Sequence, residues 1–300
     1  TLDATFSTGT GITGGVVSAL AIQSDGRIIL AGTFTGYNGS TANRVVRLAT
    51  NGAIDATFSV GTGPNAAVYA LALDASGRAV IGGGFATVNG TSRPGIARLT
   101  TTGAVDPAFN PGTGANNSLF AVTHQRDGRI LIGGMFTTFN GNTANRIARL
   151  LADGSFDTSF VTGTGCSSWV YTIVIQSDDK ILAGGDFTSY NGSSKNRLVR
   201  LTTSGGVDAG FTIGTAFNNW VYAITWQPEG RITVGGGFTS YNGTARNRLI
   251  RLTSACDENL QLTVKTDAFG SQTSWELLGE GFTYPVCSGS GFASSTETTV

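Results

Sequence analysis

Residues 170–201 read VYTIVIQSDDKILAGGDFTSYNGSSKNRLVRL, and the chain is organised around copies of this unit. The unit begins at Val170 and can be read again from Val17, Val68, Leu119 and Val221, a step of 51 residues each time. Its anchors recur at fixed offsets. Phe34, Phe85, Phe136, Phe187 and Phe238 close a glycine-rich strand. Asn-Gly begins at 38, 89, 140, 191 and 242, and Arg-Leu at 47, 98, 149, 200 and 251. A period of about 50 residues with strands and turns in every copy marks a propeller or another β-repeat array. The expected fold is all-β: a β-propeller of five blades over residues 1–255, then a small C-terminal β segment over 256–300.

An Asp-x-x-Phe signature follows four of the Arg-Leu pairs, at Asp55–Phe58, Asp106–Phe109, Asp157–Phe160 and Asp208–Phe211. After Arg251 the corresponding positions hold Asn259 and Leu262, whereas the N-terminus reads TLDATF with no unit before it. Ring closure is the simplest account: Thr1–Phe6 would lie beside Arg248–Leu252 and complete the fifth blade. Closure would remove the open sheet edges that a linear array exposes.

Within a unit the first strand alternates. In Val68–Leu73, positions 69, 71 and 73 are expected on one side and 68, 70 and 72 on the other, both apolar as between packed blades. A two-residue turn, Asp-Gly in units 1 and 3, leads to a second strand such as ILAGTF or TVGGGF. Its small residues admit a neighbouring backbone or ring. Asn-Gly forms the next turn, and NRVVRL, NRIARL, NRLVRL and NRLIRL the third strand, with Arg93-Pro94-Gly95 departing from the pattern in the second unit. The Asp-x-x-Phe segment supplies a short fourth strand or an ordered return.

Composition narrows the functional classes. The formal net charge is zero, which argues against broad attraction to nucleic acid or anionic lipid. No apolar run of about 20 residues offers a membrane span, and no signal peptide is expected within these residues. The chain starts at Thr1, so it is expected to be a processed form or a piece of a longer polypeptide. Cys166, Cys256 and Cys287 are too few for a disulfide framework; Cys256 and Cys287 flank one segment and pair, or all three are buried thiols.

Few residues point to chemistry. The recurring arginines and aspartates read as structural ion pairs or backbone caps, with a ring of charge binding an anion as the sharper alternative. The hairpin turns offer few carboxylates, and the Ser76-Gly77 turn none, too few for calcium. Asn38, Asn89, Asn191 and Asn242 match a glycosylation acceptor, but the turn explains them better. His124 is the single histidine and stands where other units carry Ile22, Leu73, Ile175 and Trp226, so it reads as a partly buried core residue. No cofactor or metal is expected, and the acids outside the repeats form no recognisable pair. The best functional lead is Trp169 and Trp220, which share one loop position where the other units have Val16, Ala67 and Ser118. With Asn218 and Asn219 they would form a flat apolar platform with amide donors, suited to sugar rings or a protein partner, unless both rings fill gaps between blades. Tyr37, Phe139, Tyr190 and Tyr241, before Asn-Gly, read as structural.

In combination, SDGRIILAGTF, YNG, NRVVRL and GAIDATF resemble the delta-60 repeat, a β-propeller repeat of bacterial secreted and surface proteins, over residues 1 to about 253. Thr266-Asp267, Gly270 and Thr273–Leu277 resemble the opening of a β-sandwich module in surface proteins of the Bacteroidetes type. These resemblances imply a non-catalytic extracellular or cell-surface module, exported by the dedicated (type IX) secretion route and acting in adhesion or rigid display. A carbohydrate-binding propeller is the alternative, and a hydrolase a more distant third. The expected partners are a cell-surface glycan or protein, other domains of the same long polypeptide, and a second copy in a homo-oligomer.

Overall fold

The computed structural model describes residues 1–228 and 230–253, and beyond them the strands Thr263–Lys265, Ser274–Leu278, Pro285–Ser290 and Glu297–Thr299. Each unit is a three-stranded antiparallel meander. The strands are Val17–Ile22, Ile28–Gly32 and Val45–Leu48 in unit 1, and Val68–Leu73, Ala79–Gly83 and Ile96–Leu99 in unit 2. Unit 3 has Leu119–His124, Ile130–Gly134 and Ile147–Leu150; unit 4 has Val170–Ile175, Ile181–Gly185 and Leu198–Leu201. Unit 5 has Val221–Trp226, Arg231–Gly236 and Leu249–Thr253. Single bridges from Leu48 to Ile54, Leu99 to Val105, Leu150 to Phe156 and Leu201 to Val207 add the fourth strand in units 1 to 4. No helix among the described residues is long and apolar enough to cross a membrane.

The turns follow their residues, with one correction. Gln23 exchanges backbone hydrogen bonds with the Arg27 end of the hairpin, so the first loop holds three residues, Ser24 to Gly26, rather than two. Only Gly26 there has positive φ, at 82°, and in unit 4 Asp179 takes that place at 62°. Asn38 and Gly39 both have positive φ, 46° and 76°, as an Asn-Gly hairpin of the primed type requires. The Asn38 carbonyl oxygen also accepts from the Thr10 amide, and Asn89, Asn140 and Asn191 repeat this contact with Thr62, Thr113 and Thr164. The departure in unit 2 has a backbone cause: Arg44, Arg146, Arg197 and Arg248 sit at φ between 66° and 71°, and Gly95 meets the same demand without a side chain.

The first strand does not alternate as expected. In every unit the pairing register slips between its first and third residues: Val68 pairs with Gly83, but Ala70 pairs with Gly82. Tyr69 is therefore a bulge residue left out of the ladder. Val68 shares a side with Leu71 and Leu73, because their partners Gly83, Ile81 and Ala79 alternate regularly.

Consecutive units lock through side chains seated over a small residue. A Cβ added to Gly133 would stand 2.7 Å from Val170 Cγ1 and 3.0 Å from Ile173 Cδ1; at Gly184 it would stand 2.6 Å from Val221 Cγ1 and 2.9 Å from Ile224 Cδ1. At Gly82 the neighbours are Val122 and Leu119. Each unit thus offers a socket on its second strand, and the next unit fills it from its first.

The recurring arginines and aspartates clamp the same junctions. Arg47 Nε donates to Asp55 at 2.8 Å, and Arg98 and Arg149 repeat the bond to Asp106 and Asp157 at 2.7 Å. The second guanidinium nitrogen crosses to the next unit, onto the Thr101, Ala152 and Thr203 carbonyls. The guanidinium also lies over the tail phenylalanine, 4.7 Å from the Phe58 ring centre in unit 1 and 4.5 Å for Arg200 over Phe211. These rings sit in the core of the following unit: Phe58 packs with Val68 and Phe85, and Phe160 with Val170 and Phe187. The aspartate is therefore structural, as its recurrence suggested. A second cation, Arg27, Arg78, Arg129 or Lys180, approaches each aspartate from the hairpin of its own unit.

The N-terminal segment does not close the ring. Phe6 packs with Phe34, Tyr37 and Leu48 of unit 1, and the Ser7 amide donates to Asn51. Thr1–Phe6 thus takes the place that a preceding unit's tail occupies elsewhere. It does not pair with Arg248–Leu252: Leu2 is 96% exposed, and Arg251 is exposed too. The cause is that Phe6 and Ser7 are engaged forward, on unit 1, as the other tails are on the unit that follows them. Among the described residues the five units form an open propeller arc.

Beyond residue 253, Thr263–Lys265 pairs with Glu297–Thr299 and Ser274–Leu278 with Pro285–Ser290, both antiparallel. The expected Cys256–Cys287 pairing, and the replaced tail at Asn259 and Leu262, lie outside the described residues. Cys166 is a free, buried thiol whose pKa burial pushes up.

Two outcomes follow from the clamp. Replacing Asp106 by Asn leaves the Arg98 guanidinium buried without its counter-charge, and should lower stability by about 3 kcal/mol in a denaturant melt. Acid should act on the same element. The Thr57 hydroxyl, then the Thr57 amide and Arg47, outweigh burial and hold Asp55 down at about 2, from 3.8. A depressed folded pKa means that this stabilisation is complete above the unfolded value and disappears as pH falls through about 2. Melting curves between pH 4 and pH 2 should therefore show falling stability, with a shallower fall in Asp55→Asn.

Candidate functional site

The bulge that breaks each first strand also creates the most distinctive surface. It ejects Tyr69, Phe120, Tyr171 and Tyr222 from the ladders of units 2 to 5, where unit 1 has Ser18. A bulge re-aims a side chain, and here it does so at one level in four neighbouring units. The rings meet across the junctions. Tyr69 and Phe120 lie 5.4 Å apart between centres, Phe120 and Tyr171 5.6 Å, and Tyr171 and Tyr222 4.9 Å. The result is one continuous aromatic row.

Trp169 and Trp220 extend this row. Trp169 touches Phe120 and Tyr171, at 6.5 and 6.2 Å, and Trp220 touches Tyr222 at 5.8 Å. The indoles are 38% and 37% exposed, so they do not fill gaps between blades. They are joined through Tyr171 and Tyr222. Trp220 lies over Gly237, where an added Cβ would fall 2.0 Å from its Nε1. In unit 4 the corresponding residue is Asp186, paired with Arg197 at 2.9 Å. Arg197 also donates to the Asp186 backbone carbonyl, as Arg248 does to that of Gly237.

The two asparagines have structural duties. Asn218 accepts from the Thr239 and Ser240 amides and donates to the Thr239 hydroxyl. Asn65, Asn116 and Ser167 make the same backbone contacts in units 2 to 4, so Asn218 is a repeat residue. Asn219 accepts from the Trp220 amide and fixes the start of the strand that carries the indole.

The row offers ring faces, indole N–H groups and phenol hydroxyls. Burial above all, with Asp186 and Tyr222 adding to it, pushes the Tyr171 phenol up to about 12, so it remains a neutral donor at physiological pH. His124 lies elsewhere, at the far end of its strand. It is half-buried with neither ring nitrogen hydrogen-bonded, and burial lowers its pKa. Among the described residues no group of three or more His, Cys, Asp or Glu could hold a metal ion.

The clefts between hairpins are a lesser candidate. One of about 450 Å3 is lined by Gln125, Arg129, Arg149 and Ser159 of unit 3 and by Asp179 and Thr203 of unit 4. Another of about 380 Å3 occupies the same place between units 1 and 2, with Gln23, Arg27, Arg47 and Thr101. Both clefts border the clamp, and Arg27, Arg47, Arg129 and Arg149 in them are engaged in it. They open at the hairpin end of the first strands, whereas the indoles stand at the opposite end.

The indoles stand out in the sequence, whereas the row beneath them does not. The signal was present, since position 69 and its equivalents read Tyr, Phe, Tyr and Tyr in units 2 to 5. Strict alternation hid it by assigning those rings to a packed face.

The family model described as a beta-propeller domain of unknown function (DUF5122) matches residues 23–58, 75–109, 125–160, 176–211 and 227–255. A comparison with curated proteins finds no match. A protein of unknown function from Bacteroides caccae aligns with a TM-score of 0.47 at 13% identity, over 81% of this chain and 79% of that one. The extracellular domain of a putative hybrid two component system from B. thetaiotaomicron aligns at 0.48 and 14% identity, over 84% of this chain but 32% of its own length. The WD40 β-propeller domain of Doa1 aligns at 0.44 and 14% identity, over 80% and 87%. The chain belongs to the DUF5122 β-propeller family.

Two measurements test the site geometry. Gly237→Ala should displace the Trp220 indole, shifting tryptophan emission to longer wavelength while the denaturation midpoint stays close to wild type. In an alkaline absorbance titration, Tyr171→Phe should remove a phenol that ionises near pH 12. Because its folded pKa is raised, the stability linked to this group is complete below about 10 and falls as pH rises toward 12.

Proposed function

We propose that this propeller is a non-catalytic extracellular recognition module, acting in adhesion through a glycan held along its aromatic row. The observation that carries the reading is the continuity of Tyr69, Phe120, Tyr171 and Tyr222 with the half-exposed Trp169 and Trp220. Exposed aromatic surface of this extent is unfavourable unless a ligand covers it. Aromatic faces suit the C–H faces of sugar rings, while indole N–H and phenol O–H groups answer ring hydroxyls. A row with one ring per unit favours an extended chain over a compact small molecule. Its polar groups supply hydrogen bonds rather than a nucleophile or a base: Asp186 is tied to Arg197, and Tyr171 stays protonated. Work outside the cell, and export by the type IX route, rest on the resemblance of the repeats and of the C-terminal segment to secreted surface proteins. A rigid arc of repeats would also serve as a spacer within a longer surface polypeptide.

The test is a soluble-glycan and cell-surface-glycan binding screen on wild type, followed by Trp169→Ala, Trp220→Ala and the double variant. Wild type should bind an extended glycan, and each indole removed should weaken binding by roughly tenfold or more. Folding should be unaffected, since both side chains are half-exposed. Binding that survives the double variant, or a wild type that binds only protein extracts, would overturn the reading.

A further inference from the structure

The junction that joins units 1 to 5 is built four times and left half-made at each end. On unit 1 the filling side chains have nothing to fill. Val68, Leu119, Val170 and Val221 are fully buried in their sockets, but the equivalent Val17 is exposed, and Leu20 and Ile22 are 60% and 65% exposed. On unit 5 the socket is open. Among the described residues, a Cβ at Gly235 would meet only the Arg248 carbonyl oxygen, at 3.8 Å, where Gly82, Gly133 and Gly184 are crowded by the next unit. Leu249 on the same face is 65% exposed, while its counterparts Ile96, Ile147 and Leu198 are buried completely.

The clamp is divided in the same way. Asp55 uses Oδ1 for the Thr57 amide and hydroxyl and keeps Oδ2 for Arg47. Asp3 is already set up alike: its Oδ1 accepts from the Thr5 amide and hydroxyl, and among the described residues no arginine takes its Oδ2. Arg251, which stands where Arg47 stands, is exposed at the other end. Phe6 is already packed on unit 1 as a preceding unit's tail would be. One end therefore holds the tail, the acid and the filling side chains. The other holds the socket and the base.

We propose that these two ends are one interface, and that the occupant of each is the opposite end of a second copy of this chain. Unit 5 of one copy docks on unit 1 of the next. There Val17 and Leu20 enter the space over Gly235, and Asp3 receives Arg251, in continuity with the four junctions inside the chain. Such a contact is heterologous, and the assembly closes as a ring or grows as a chain according to the angle of each junction.

The test is sedimentation of the 300-residue chain over a range of concentrations. Wild type should associate. Leu20→Glu spoils only the first end and Gly235→Val fills only the second; both sites are open, so both variants should fold as wild type does and remain monomeric. Mixed in equal amounts they should form dimers and nothing larger, because each brings one intact end. A charge exchange gives an independent check: Asp3→Arg should weaken association by about tenfold or more, and Asp3→Arg with Arg251→Asp in one chain should restore it. A wild type that stays monomeric throughout, an unchanged assembly in either variant, or a mixture that forms no dimer would overturn the proposal.

Discussion

Units 2 to 5 of this protein are each held by a branched side chain seated over a small residue on the unit before, Ala31 in unit 1 and a glycine in units 2 to 4. That contact needs three things at once. The second strand must carry a small residue, since a side chain at Gly133 or Gly184 would occupy the place of the incoming valine. The next unit's first strand must keep Val170 and Ile173 on one side, which the bulge at Tyr171 achieves by adding a residue between them. The arginine must reach past its own aspartate to the neighbouring unit's loop carbonyl. Stability in such an array lies largely in these nearest-neighbour contacts, because a lone three-stranded meander buries too little apolar surface.

The candidate binding surface follows from the same bulge. The extra residue that keeps the junction in register is the residue pushed out of the ladder, and in units 2 to 5 it is aromatic. Structure and surface are thus two results of one irregularity. Units whose junctions are alike can still differ at the start of the first strand, where Val16, Ala67 and Ser118 give way to Trp169 and Trp220. The row is strengthened toward unit 5 without any change to the contacts that hold the arc.

The parts legible in the sequence were those imposed by local geometry. Asn-Gly turns, the small second strand and the Arg–Asp recurrence each fulfil a requirement repeated every 51 residues, so repetition alone exposed them. The bulge was not legible, because inserting one residue changes which side chains share a face and leaves the apolar pattern almost intact. Gly95 illustrates the converse: the odd unit revealed that position 44 and its equivalents need positive φ, a demand that arginine meets silently in the others. Ring closure failed for a different reason. TLDATF carries the contacts that a tail makes forward, onto unit 1, and says nothing about which strand stands behind it.

The central claim is that a filled socket over a glycine carries stability from unit to unit. One comparison addresses it: the same substitution, glycine to valine, at position 184 and at position 235, with unfolding of each monomer followed in denaturant. At Gly184 the added side chain collides with Val221 and Ile224, and overpacking should cost roughly 1–3 kcal/mol and release unit 5 first. At Gly235 no described neighbour is displaced, and the unfolding curve should match wild type. Equal effects at the two positions would contradict the account.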